Sequence, residues 1–146
     1  MKAIIIILLF GIILSYNTNA AIAYARTFCN HRNPAYIDFY MKGQNAHFVS
    51  ECMVAGGQKF DGCAGIDSKG MFHNISNLKT CLLLKGWKLS NSKPTNFKAG
   101  YPIILKGGYH VMLATGFDGN DIIYCSHDND RCNAKINAKS VDYFYL

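Results

Sequence analysis

Apolar residues fall in two rhythms along this chain. Up to about residue 86 they recur at helical spacing between polar positions. Residues 20–28 (AAIAYARTF) read as an alanine-rich helix with aromatics at Tyr24 and Phe28. Asn33-Pro34 starts a short helical turn, with proline at a first-turn position. Residues 46–55 (AHFVSECMVA) predict a second helix, closed by Gly56-Gly57 as a C-cap. A glycine-rich loop follows over residues 58–74, and a further helix near residues 76–85 ends at Gly86. From Trp87 to Pro94 the chain is irregular.

The period then changes. PIILK (102–106), YHVMLATGF (109–117) and DIIYCS (121–126) read as strands, and VDYFYL (141–146) as a last one. Asp118-Gly119 is a hairpin signal between the second and third of these. Helices first and a meander of strands afterwards predict an α+β fold, with N-terminal helices packed on a small antiparallel sheet. The chain has no repeats, low-complexity stretch or linker, which fits one domain.

The N-terminal run stands apart. Met1-Lys2 precedes AIIIILLFGIIL, a short apolar stretch behind one positive charge. This predicts a secretory signal peptide over residues 1–20, cut after Ala20, with Ser15 and Ala23 as alternative cleavage points. The run is short for a membrane span, so no transmembrane anchor is expected after processing. The domain is then 21–146, and its location extracellular.

That setting changes how the six cysteines are read: Cys29, Cys52, Cys63, Cys81, Cys125 and Cys132. An even number in a secreted chain predicts disulfides. The expected pairs are Cys63–Cys81, Cys125–Cys132 and Cys29–Cys52. Their spacings match no zinc ribbon or finger, so no structural metal is expected. The formal net charge of +6 falls to +5 without Lys2. The basic residues are dispersed, which fits solubility and gives no specific nucleic-acid signal. Asn74-Ile75-Ser76 is an N-glycosylation sequon, making Asn74 a candidate acceptor.

Candidate chemistry centres on the start of the 46–55 helix. Unpaired N–H groups and the helix dipole stabilise negative charge there, and a cysteine at that point would be activated. The position is held instead by Asn45, which suits an N-cap. His110 opens an apolar strand after Gly107-Gly108, and His127 follows the next strand. A hairpin would bring both toward one region, opposite the helix start, as a base and its orienting group.

At these residues the chain resembles a known group. YNTNAAIAYA with the later NPAY, FVSECMVAGG, NLKTCLLLKGW, GYHVMLATGF and IIYCSHDND occur in the order of a secreted amidase domain. That domain belongs to the papain-like superfamily, with the NlpC-type and CHAP-type cell-wall peptidases. Its nucleophile helix is usually written C-[TA]-N-F-V-S-Q, followed by A-G-G. The resemblance implies a papain-like fold, with His110 as general base and His127 in the orienting position. It also implies Asn45 at the nucleophile position, three residues before Phe48. Gln44 replaces the usual Asp, His47 the usual Asn and Glu51 the usual Gln, whereas Phe48, Val49 and Ser50 match. The departures gather at the chemistry and spare the packing.

Among substitutes, Ser50 points to another face. Cys52 shares the face of Asn45 but lies about 10 Å along the axis, at about 1.5 Å per residue. His47 suits local packing or hydrogen bonding. The expectation is therefore a secreted pseudoenzyme that binds a peptide, muropeptide or other cell-wall ligand and needs no cofactor. Two alternatives stand beside it. One is an active hydrolase with unorthodox residues, either on amide or peptidoglycan bonds or with His110 and His127 as an acid–base pair on a phosphodiester. The other is a non-catalytic secreted defence or structural protein. Oligomeric state is not legible.

Overall fold

A computed structural model describes residues 15–39 and 44–146, excepting the side chains of residues 37–39. The apolar stretch read as the core of a signal peptide lies outside the described residues. Among those described, three α-helices and six strands form an α+β fold: α1 (Thr18–Phe28), α2 (Gln44–Ala55), α3 (Ile75–Leu84), β1 (Lys88–Ser90), β2 (Pro102–Leu105), β3 (Val111–Asp118), β4 (Asp121–Ser126), β5 (Arg131–Asn137) and β6 (Val141–Tyr145). A kinked 3-10 turn, Pro34–Phe39, follows α1. No helix of the described residues is long and apolar enough to cross a membrane.

The strands form one antiparallel sheet in the order β1-β6-β2-β3-β4-β5. The hairpin expected at Asp118-Gly119 is present, with Asp118 opposite Asp121 and Gly119 at φ +57°. Two strands were not expected. β1 lies in the region read as irregular and pairs with β6 at the end of the chain. β5, RCNAKIN, is mostly exposed and polar. Its Cys132, Ala134 and Ile136 alternate with polar residues, but the alternation is short and weakly apolar, and the strand is held by its ladder to β4.

α2 is the hub. Every residue from Asn45 to Met53 is buried, its polar residues included. Phe48, Val49, Cys52 and Met53 join the core with Ile103, Val111, Leu113 and Tyr143. α1 lies against α2 through Ala21 and Ala25, both fully buried, whose small side chains permit a close approach.

The segment before α1 is built into the fold. Tyr16 stacks edge-on against Trp87 and donates its hydroxyl to the Gly100 carbonyl. Asn17 caps α1 through the Ala20 N–H, and its own N–H reaches the Gly56 carbonyl. Gly100, at φ +95°, meets Thr18 so closely that a Cβ would lie 2.6 Å from the Thr18 Cβ. The expected cleavage point, Ala20, falls inside this helix.

The structure corrects two of the cysteine pairings. Cys63 is bonded to Cys81 and Cys29 to Cys132, while Cys52 and Cys125 are free and buried. Cys52 lies on α2 inside the core. Cys125 sits within β4, whereas Cys132 sits on β5 beside the C-terminus of α1. Pairing therefore follows the packing of α1 on the β4–β5 hairpin, rather than nearness in sequence.

Candidate active site

Two side chains expected together are together. Asn45 Nδ2 lies 2.9 Å from His110 Nδ1. Asn45 is the second residue of α2, inside the helix rather than at the cap expected of it. Its Oδ1 still accepts the Ala46 N–H at 2.7 Å, one of the donors that a helix start leaves unpaired. That bond turns Nδ2 toward the cleft. His110 arrives on the strand side, one residue before β3, with its carbonyl held by the Leu105 N–H.

The third partner is Asp128. Its Oδ2 accepts from Asn45 Nδ2 at 2.9 Å and lies 3.0 Å from His110 Nδ1. On the far side of the ring, His110 Nε2 is 3.3 Å from Ser126 Oγ. The carboxamide donates to Asp128 in either tautomer of His110: with Nδ1–H the ring also donates to Asp128 and accepts from Ser126 at Nε2, and with Nδ1 bare it accepts from Asn45 instead and donates to Ser126.

His127 does not orient His110. Its ring stacks on Phe48 at 3.9 Å between centroids, and its Nε2–H donates to the Phe28 carbonyl at 2.5 Å. Burial holds its pKa below the ordinary imidazole value, which keeps it neutral in the core. The place expected of His127 is taken by Ser126. Strand alternation carried one residue past the end of β4 was the available signal: Ser126, the last strand residue, turns to His110, and His127, the first of the following turn, leaves the other way toward Phe28 and Phe48.

The substitutes considered for the missing nucleophile are otherwise engaged. Ser50 Oγ bonds back to the Ala46 carbonyl at 2.7 Å. Burial, and then the nearby Glu51 carboxylate, push the Cys52 thiol well above its usual range, the reverse of activation. His47 Nδ1 pairs with Glu51 Oε1 at 2.5 Å, one turn along α2. Asn74 caps α3 through the Asn77 N–H and is exposed at the cleft edge.

An open cleft of about 470 Å³ runs past this group, lined by Asn45, His73, Asn74, Gly108, Tyr109 and Asp128 among others. A second groove, lined by Leu105, His110, Ser126, Asp128 and Arg131, meets it at Asp128. Tyr109 is 83% exposed beside His110.

Comparison with known proteins agrees with this architecture. No curated protein matches the chain. Two solved structures of Ly7917 match in fold. The structure titled as Ly7917 with the hydrolyzing product of MDP has a TM-score of 0.50 at 16% identity over 88% of this chain. The other has a TM-score of 0.50 at 17% identity, also over 88% of this chain. The chain spans 62% and 61% of the length of those two chains. The family model described as Putative amidase domain matches residues 15–101, more than half of the sequence, and the chain therefore belongs to that amidase-domain family.

Proposed function

We propose that this chain is a secreted, non-hydrolytic amidase-like protein of papain-like architecture that binds a peptide or peptidoglycan-type ligand in the cleft beside Asn45. The observation that carries the reading is the 2.9 Å contact between Asn45 and His110. A base, its polar partners and a helix start converge where a thiolate would attack, and the group at that point is a carboxamide. Its nitrogen lone pair is delocalised into the carbonyl, and its Nδ2 already donates to Asp128. Acyl transfer through a covalent intermediate needs an activated nucleophile, and Asn45 cannot become one.

The rest of a binding site is retained. The cleft offers Asn45, Asn74 and Asp128 as hydrogen-bonding groups and Tyr109 as an exposed aromatic surface. Such a mixture suits an amide-rich or sugar-bearing ligand. The likeness in fold to Ly7917, whose structure holds the hydrolyzing product of MDP, favours the same ligand class here.

The test is Asn45→Cys, assayed with muropeptide and simple peptide amides beside the unaltered protein. Amide hydrolysis by the variant alone supports the reading. Turnover by the unaltered protein, lost in His110→Ala, overturns it in favour of an active hydrolase. Muropeptide binding to the unaltered protein, weakened by Tyr109→Ala, is the expected calorimetric result.

A further inference from the structure

A second cluster lies beside the Asn45–His110–Asp128 group and shares only His73 with the wall of its cleft. His47 comes from the first turn of α2, Asp67 from the loop between α2 and α3, and His73 from the exit of that loop. One potential ligand atom from each lies within 4.8 Å of the other two. Asp67 Oδ2 is 2.8 Å from His73 Nε2 and 3.4 Å from His47 Nε2. We infer that His47 Nε2, Asp67 Oδ2 and His73 Nε2 form a binding site for a divalent cation of the zinc class.

The geometry suits tetrahedral coordination. Metal bonds of about 2.0–2.1 Å put ligand atoms about 3.3 Å apart; Asp67 Oδ2 already lies 2.8 and 3.4 Å from the two imidazole nitrogens, and the three atoms, within 4.8 Å of one another, would draw together around an ion. Two imidazoles and one carboxylate select zinc and its late first-row neighbours over calcium or magnesium, which prefer all-oxygen shells. Three protein ligands leave a fourth position for water or a ligand group.

The surroundings orient the ligands. Asp67 Oδ1 accepts the backbone N–H groups of Lys69 at 2.8 Å and Met71 at 3.0 Å, which turns Oδ2 toward both histidines. Glu51 Oε1 holds His47 Nδ1 at 2.5 Å and directs Nε2 at Asp67. Tyr24 donates in turn to Glu51 Oε2 at 2.5 Å, and Asn33 donates to the Tyr24 hydroxyl at 2.9 Å. A carboxylate behind a ligating histidine is the usual support of a metal site. Here it is built into the core, with Glu51 4% and His47 6% exposed. A buried carboxylate and imidazole at this depth add little to packing, but they make a stiff ligand. His73 also lines the cleft, so the ion would sit in the wall of the groove that holds Asn45 and Asp128.

The test uses untagged, chelator-treated protein titrated with zinc chloride by calorimetry and with cobalt(II) by visible absorption. One equivalent of zinc with micromolar or tighter affinity is expected, with the intense visible bands of tetrahedral cobalt. His73→Ala and Asp67→Asn, at the less buried ligands, should each weaken zinc at least tenfold, and Glu51→Gln about tenfold or more. His31→Ala, an exposed histidine elsewhere, should change nothing. Absence of stoichiometric zinc binding by the folded protein overturns the assignment. So does binding that His73→Ala and Asp67→Asn leave unchanged. Asn45→Cys leaves all three ligands in place, so the outcome does not depend on whether the cleft hydrolyses amides.

Discussion

Removing the Cys29–Cys132 bond tests the packing that holds the candidate site. The bond closes a loop of sequence separation 103, against 18 for Cys63–Cys81. Loop-closure entropy assigns about 4.7 kcal/mol to the long loop and about 3 kcal/mol to the short one. A domain of this size has about 5–15 kcal/mol in all, so Cys29→Ala with Cys132→Ala should leave a marginal fold. The crosslink ties the end of α1 to the start of β5, next to the turn that carries Asp128. Arg32 braces that turn further by pairing with Asp130 at 2.9 Å. The assay is urea unfolding of the unreduced proteins, with hydrogen exchange read at residues 127–131. A loss of about 4–5 kcal/mol is expected, with faster exchange in the turn. A loss under about 1 kcal/mol would refute the reasoning. So would peptide mapping that joins Cys132 to Cys125.

Three further outcomes follow from buried polar groups and from the N-terminal segment. Tyr24→Phe removes a donor from the buried Glu51 carboxylate and should cost about 1.5–3 kcal/mol by urea unfolding, whereas a change under about 0.5 kcal/mol would contradict the contact. His127 has a folded-state pKa below its unfolded value, so the unfolded chain takes up the proton first. Its contribution is complete above about pH 6.5 and is lost as the pH falls from there toward the lower folded-state value. The stability difference between wild type and His127→Gln should therefore shrink below about pH 6.5, and a difference that grows there would reverse the sign. A chain beginning at Ala21 lacks Tyr16 and the Asn17 cap. It should be about 2–4 kcal/mol less stable than one beginning at Tyr16, and equal melting temperatures would show that this segment adds nothing.

Local pattern was enough to read much of this protein. Helical spacing marked α1, α2 and α3, and dense apolar runs marked β2, β3, β4 and β6, because burial imposes its period on the residues that face the core. The start of α2 and His110 could be matched as a pair, since each sits at a recognisable change of element. Other features carry little or no local signature. β5 carries only the weak alternation of Cys132, Ala134 and Ile136 and exists through its ladder to β4. Ser126 and Asp128 meet His110 only after the strand pleat and the following turn fix their directions, and His127 turns inward for the same reason. The cysteine partners depend on where the end of α1 lands against β5. His47, Asp67 and His73 are spread over 27 positions and meet because the 58–74 loop folds back on the first turn of α2. Sequence spacing encodes which face of an element is buried; which faces then meet is decided by long-range packing, and both clusters of this molecule lie where faces meet.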